Sequence, residues 1–435
     1  MTARTPQEIW ELVEGALWSG AQALAERARH KPHWFAAAVV DRSRRYTSER
    51  GALHRPADAP ADLAARALFF SVVDAAKPQL PLLELARRGG LGPAVAGAAP
   101  ASELPSLRVL DLGAGCGAMA LGLLATAALH GWRARWDLTL LDRDAEALAI
   151  AERAVRALAE ALALEVTVRK VTAELASWRP AAQERGLALV LAGTVLNELP
   201  PALARQLVTT ALGQVAADGA VLLLEPALRD AARGLHALRD EHLTAGSALV
   251  LAPCTHARTP CPMLARETDW CHEDRAWHAP PQLVRLADVT GLRDGNLKYA
   301  YLLLAPPGAP MGARPLFPAP VGQLALRVVS GALPGKGRKE CFACGEAGRV
   351  PVRRLDRRTS QANAWFDELR RGDLFLAPAD PVRAAADGGR LEIQADDAWP
   401  ALVAGRAPVA AAPAGARTDA DDADAADDDG PAGEA

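Results

Sequence analysis

Val109-Leu110-Asp111-Leu112-Gly113-Ala114-Gly115-Cys116-Gly117-Ala118 sets an apolar run, three alternating glycines and the start of a helical pattern in direct succession. The run predicts a strand that ends at the first glycine. Glycine takes the tight turn without strain and lets backbone N–H groups approach a ligand at the next helix N-terminus. Because Gly113-x-Gly115-x-x-Ala118 also has dinucleotide-loop spacing, the loop alone leaves the nucleoside-type ligand open. Outward from it, WDLTLLD ends in Asp142, an acid at the tip of the second strand that can accept from both hydroxyls of a ribose. Further apolar runs follow at EVTVRKV, LALVLAG, AVLLLE and KYAYLLLA, with helical patterns at 118–129, 145–162 and 202–215 between the earlier ones. Apolar strands alternating with helices predict an α/β domain whose parallel sheet is covered on both faces.

After the fourth strand stands Leu196-Asn197-Glu198-Leu199-Pro200. Ligands of open α/β sheets bind beyond the carboxyl ends of the strands, which makes Asn197 and Glu198 pocket candidates; a helix cap is the competing role for Asn197. The segment is not the Asn-Pro-Pro-aromatic motif that amino-group methyltransferases use to hold a planar amine.

The chain has 435 residues, half of them apolar and 23% charged, and this length predicts more than one domain. Thr5-Pro6-Gln7-Glu8 reads as a capping box before an amphipathic helix, and helical pattern recurs at 64–73 and 81–88. We expect a helical N-terminal domain (1–100), an α/β domain (101–308) with a cysteine-containing insertion (252–280), a small β-rich basic domain (309–405) and a disordered acidic tail (406–435). From Thr418 to Ala435 the tail holds eight acids and no base, which leaves 49 basic residues against 44 acids in the 417 residues before it. No window is apolar enough to span a bilayer, and the acids near the start do not suit an export signal; a cytoplasmic protein with no membrane partner is expected.

Five of the six cysteines follow residue 250: Cys254, Cys261, Cys271, and Cys341-x-x-Cys344. Such clustering beside prolines and histidines suggests thiolate ligands, and the spacing leaves zinc and an iron–sulfur cluster open. His256, His272 and His278 are candidates to complete a zinc site. Cys116 reads as a small filler in the glycine loop. Between positions 327 and 358 nine basic residues (Arg327, Lys336, Arg338, Lys339, Arg349, Arg353, Arg354, Arg357, Arg358) face three acids, a pattern suited to phosphate contacts with RNA.

DLGAGCG with Asp111 two positions before its first glycine resembles the first motif of class I S-adenosylmethionine (SAM) methyltransferases, which favours SAM over NAD. More widely, LAARALFFSVVDAAK, DLGAGCG, VLNELP, APCTHARTPCP, DWCH, KYAYLLL, ACGEAG and RRGDLF resemble the methyltransferase-like family of small-ribosomal-subunit assembly factors of mitochondria and bacteria, from about Leu63 to Pro378. The resemblance implies a class I methyltransferase-like sheet, association with the small ribosomal subunit and its rRNA, and SAM held around Asp111, Gly113, Gly115, Gly117, Asp142 and Asn197. It also implies a structural 4Fe-4S cluster on Cys254, Cys261, Cys271 and Cys344. A non-catalytic assembly platform, a zinc-binding RNA methyltransferase, and a cytosine-5 methyltransferase with Cys254 or Cys261 as nucleophile are the alternatives.

Overall fold

The structure, a computed structural model, describes residues 4–49, 57–96, 104–180, 185–292 and 295–402. The acidic tail and residues 97–103, before the first strand, lie outside the described residues. The chain enters through α1 (Pro6–Gly20), α2 (Gln22–His30) and α3 (Pro32–Thr47). α4 (Ala59–Ala65) then runs through a π-helical turn (Arg66–Phe70) into α5 (Ser71–Ala76), followed by α6 (Gln79–Arg87) and α7 (Pro93–Ala96). The capping box forms at the head of α1: the Thr5 hydroxyl accepts from the Glu8 N–H and the Glu8 carboxylate accepts from the Thr5 N–H.

The first sheet contains β1 (Ser106–Leu112), β2 (Arg135–Asp142), β3 (Glu165–Thr172), β4 (Leu187–Gly193), β5 (Val215–Pro226), β6 (Leu249–Ala252), β7 (Glu273–Ala276) and β8 (Asn296–Ala305). Its order is β3-β2-β1-β4-β5-β8-β6, with β7 also paired to β8. β1 to β5 are parallel, and β8 runs antiparallel between β5 and β6. This is the class I methyltransferase architecture. Helices α8 (Ala118–Leu129), α9 (Ala145–Leu162), α10 (Pro201–Leu212), α11 (Arg229–Thr244) and α12 (Pro281–Thr290) flank the sheet. α9 shows why such segments are helical: Asp144 caps its first turn, and Ala147, Leu148, Ala151, Ala154, Val155 and Leu158 form one buried stripe. Ile9, Val13 and Leu17 of α1 share a single core with Leu121 and Leu124 of α8 and Leu148 and Ala151 of α9. The N-terminal helices therefore cover the sheet as a layer, rather than enclosing a core of their own.

A second sheet holds β9 (Gln323–Val328), β10 (Leu333–Gly335), β11 (Arg338–Gly345), β12 (Gly348–Leu355), β13 (Leu374–Pro378), β14 (Leu391–Ile393) and β15 (Ala401–Leu402). Its order is β14-β12-β11-β9-β13-β15, with β10 on β11. α13 (Trp365–Glu368) and α14 (Ala379–Ala386) accompany it. Phe375, Val350, Val352, Phe366 and Ile393 fill its own core.

A chain of buried charges joins these parts. Arg327 of β9 pairs with Glu84 of α6 at 2.6 Å and stands 3.6 Å from Glu273 of β7. Arg275 continues it, from Glu273 at 2.8 Å to Asp373 at 2.6 Å. The Tyr301 hydroxyl also donates to Glu84. With Arg327, Glu84 and Glu273 each no more than 3% exposed, removing the cation takes the guanidinium from Glu84, which keeps the Tyr301 hydroxyl, and leaves Arg275 as the cation paired with Glu273 in a low-dielectric interior. Arg327→Met is expected to destabilise the protein by about 3–5 kcal/mol in chemical denaturation; a loss below about 1 kcal/mol would show that the chain of charges does not hold the sheets together.

Candidate functional site

The order of the first sheet reverses between β1 and β4, and a cavity of about 420 Å³ opens beyond the carboxyl ends of the strands there. Gly113 and Gly115 line it, as do Asp142, Thr194 and Glu198. Gly113, Gly115 and Gly117 all have positive φ, the left-handed region where a Cβ is strained. A Cβ on Gly113 would stand 2.4 Å from Val195 Cγ2, and one on Gly117 would stand 3.0 Å from Ala151 Cβ. The three glycines have different work: Gly113 and Gly115 border the cavity, whereas Gly117 lets α8 start close against α9.

Asp142 fixes the loop. One carboxylate oxygen accepts from the Gly115 N–H at 2.8 Å and the other from the Asp144 N–H at 2.9 Å. Each oxygen keeps a further acceptor position for a hydroxyl in the cavity. Asp111 lies beneath the loop, 1% exposed, and accepts from the Ala120 N–H at 3.3 Å. Burial pushes its carboxyl up to about 8, so Asp111 is a structural group under the glycines and not part of the lining.

Asn197 is directed elsewhere. Its amide donates to Glu225, whose carboxylate also accepts the backbone N–H groups of Val195, Leu196 and Asn197 at 2.8–3.3 Å. The cap of α10 is Pro200 and not Asn197, which borders a different cavity from the glycine loop's and ties the loop after β4 to the end of β5. Burial lifts Glu225 to about 7 against the pull of these donors. Glu198, next along the chain, does line the cavity, and burial raises its carboxyl too.

Several lining residues escaped the sequence reading. Arg66, on the π-helical turn, reaches the cavity and pairs with Asp144 at 2.6 Å. Burial works against the Asp144 carboxylate, but the Ala147 N–H and Arg66 hold it below the usual range. Thr194 is held at φ +58, a strained position for a β-branched residue, and its hydroxyl donates to the Gly193 carbonyl. The expectation of a filler fits Cys116, which is 3% exposed and has its thiol pushed up to about 11 by burial.

A separate cavity lies where the two sheets meet. Cys254, Cys261 and Cys271 from the first sheet's insertion line it together with Cys344 from β11. Cys341 points away. Successive residues of a strand face opposite sides, so Cys341 and Ala343 enter the core of the second sheet, while Phe342 and Cys344 pack towards Cys261 and Cys271. His256 and His272 line the cavity and His278 does not; His236, unremarked in the sequence, lines it as well. His236 Nδ1 and Arg327 Nε are buried there without a hydrogen-bond partner among the described residues. Burial pushes the Cys261 thiol up to about 12; burial and then the neighbouring thiols raise Cys271 and Cys344 as well. Among the described residues, no three His, Cys, Asp or Glu side chains are already grouped to hold a single metal ion. The thiols surround an opening, and the two cavities share no lining residue.

The basic run is largely neutralised. Arg327 is buried against Glu84, Arg354 pairs with Asp367 at 2.7 Å, Arg353 and Arg358 with Glu392, Arg349 with Asp269, Lys339 with Asp367 and Arg338 with Glu340. Among the described residues, exposed Lys336 and Arg357 are the two of the nine without such a carboxylate. The positive field is therefore smaller than the sequence count implies.

Among solved structures, the chain is similar to a SAM-dependent methyltransferase from Leishmania major at 14% identity, covering 62% of this chain and 82% of that one, TM-score 0.31. It is also similar to magnesium protoporphyrin IX methyltransferase from Synechocystis with bound SAM, at 13% identity over 61% and 95% of the two chains, TM-score 0.30. No curated protein matches it. A family model described as mitochondrial small ribosomal subunit Rsm22 matches residues 96–375, more than half of the sequence, and the chain belongs to that family.

Proposed function

We propose that this protein binds SAM and acts on small-subunit rRNA or the assembling small ribosomal subunit, with a structural 4Fe-4S cluster on Cys254, Cys261, Cys271 and Cys344. The observation that carries the reading is the convergence of three thiols from one sheet and one from the other on a single cavity, beside a glycine-loop cavity of nucleoside size. SAM supplies an electrophilic methyl group when bound. The protein's part is to bind and orient: Asp142 offers acceptors to the ribose, Gly113 and Gly115 leave room for close approach, and the Glu225 collar fixes the segment from Thr194 to Glu198. Residues 1–100, 101–308 and 309–405 are taken as the helical, methyltransferase-like and basic β-rich parts.

The donor set fits an iron–sulfur cluster better than zinc. One tetrahedral zinc at about 2.3 Å from each sulfur draws thiolates to within roughly 3.8 Å of one another. These four thiols stand around an opening, as a polynuclear centre needs, with unpartnered His236 Nδ1 and Arg327 Nε on its wall. The separation of the two cavities also disfavours Cys254 or Cys261 as a methyl-transfer nucleophile, because neither thiol borders the glycine loop. A non-catalytic platform is the second reading, favoured by Asn197: its amide is tied to Glu225, outside the cavity.

Anaerobically purified protein should contain iron and acid-labile sulfide in equal amounts, and a Cys344→Ala variant should lose most of both; zinc in their place would overturn the cluster. Calorimetric titration should show SAM binding that Gly113→Ala abolishes, since the added methyl meets Val195 in a backbone region costing about 1–2 kcal/mol. Unchanged affinity would remove the glycine loop from the ligand site. Transfer of labelled methyl groups to immature small subunits separates enzyme from platform. The joint variant Lys336→Ala/Arg357→Ala should flatten the salt dependence of subunit binding by one to two phosphate contacts, roughly 0.7–0.9 per contact in log–log slope; an identical slope would place the RNA contact on another surface.

A further inference from the structure

Two side chains grip the thiol cage from behind. Arg239 of α11 is 1% exposed. Its Nε–H donates to Cys254 Sγ at 3.2 Å, one Nη to the Arg258 carbonyl at 2.9 Å and to Asp240, and the other Nη to the His256 carbonyl at 3.1 Å. The Asp240 carboxylate in turn accepts from the Cys261 N–H at 2.6 Å. The Arg239-Asp240 pair thus places two cysteine positions from one helix. His256 reaches a third. The Arg258 N–H donates to His256 Nδ1 at 3.1 Å, so the imidazole proton sits on Nε2, which lies 3.5 Å from Cys344 Sγ.

A permanent cation buried this deeply requires strong acceptors, and a neutral thiol is a weak one. A metal-bound thiolate is a strong one, because the hydrogen bond is then charge-assisted. Four thiolates gathered in one largely apolar cavity equally require compensating charge and N–H donors. We propose that Arg239 and His256 are positioning residues of the metal centre: each directs an N–H at one ligand sulfur, one from each sheet, and together they hold the cluster in place and raise its reduction potential. Hydrogen bonds to the sulfurs are among the levers that set such potentials. The inference rests on the cluster reading above and adds the groups outside the ligand set that stabilise it.

The test uses the full-length protein, reconstituted anaerobically with iron and sulfide, and the variants Arg239→Met, His256→Phe and His256→Gln. The readouts are the rate of iron loss to a chelator and the midpoint potential from spectroelectrochemistry. Arg239→Met and His256→Phe should lose iron about 10–100-fold faster than wild type, the usual cost of removing a partner of a metal ligand. Both should show a lower potential, and His256→Gln, whose amide can still donate, should recover much of the wild-type behaviour. Should Arg239→Met fail to fold, the His256 pair decides, since that side chain carries a single contact to sulfur. Variants that lose iron at the wild-type rate and keep the wild-type potential overturn this inference alone. A wild-type protein that takes up neither iron nor sulfide overturns the cluster reading, and this inference with it.

Discussion

Arg327 is the constraint on which the arrangement of this protein turns. Its guanidinium is planar, permanently charged and removed from water, so the fold must surround it with acceptors or unfold. Those acceptors come from three places in the chain: Glu84 from the N-terminal helices, Glu273 from the first sheet and the Gly372 carbonyl from the second. If the N-terminal helices or the first sheet moved away from the second, the buried cation would lose a carboxylate. Because Arg327 lies on β9, and Cys344 on β11 is its register partner, the same interaction that locks the sheets together sets Cys344 against the insertion. The thiol cage follows from a charge network that contains no cysteine.

The cage then repays the constraint. A centre that ties Cys254 to Cys344 closes a loop of some ninety residues, and the chain-entropy argument for cross-links puts the stabilisation on the order of 4 kcal/mol. The loop is already narrowed by direct contacts: the Thr255 hydroxyl donates to the Ala325 carbonyl at 3.0 Å, and Arg258 donates to the Ala347 carbonyl at 3.1 Å. Part of the entropic cost is therefore met by the protein's own contacts, so a centre of the proposed kind would add less than the full loop-closure figure.

Local features were legible in the sequence where a residue type has one physical use. The capping box at Thr5, the strand–glycine–helix order at Gly113 and the helices at Ala118–Leu129 and Ala145–Leu162 all lie where the sequence places them. α11 went unremarked although Ala232, Leu235 and Leu238 recur at helical spacing; its many charges mask the stripe. Asn197 sits at the expected strand end, but its orientation depends on Glu225, a partner 28 residues away. The count of basic residues between 327 and 358 overstates the positive field for the same reason: Asp269, Asp367 and Glu392, which neutralise several of them, lie outside that run and meet it only in the folded protein. Strand alternation puts Cys341 and Cys344, three apart on β11, on opposite sides, but which of them meets the insertion depends on the pairing of β11 with β9 and on the packing of Cys344 towards Cys261.

These differences explain why the two sites have unlike sequence signatures. The glycine-loop cavity is defined by what must be absent, side chains at Gly113 and Gly115, and absence leaves a compact local motif. The cage is defined by what must be brought together over ninety residues, and no local motif can encode that. What encodes it is distributed: Arg327 to align the sheets, Arg239 and Asp240 on one helix turn to set Cys254 and Cys261, and the strand register to aim Cys344. α11 carries Leu235 and Leu238 into the core under the first sheet and Arg239 into the cage. The insertion is thereby anchored to the methyltransferase-like fold, and the second sheet is held at a fixed place relative to the glycine-loop cavity. Under the proposed role at the small ribosomal subunit, that rigidity would favour binding whether or not a methyl group is transferred, because ordering cost already met in folding does not recur on binding.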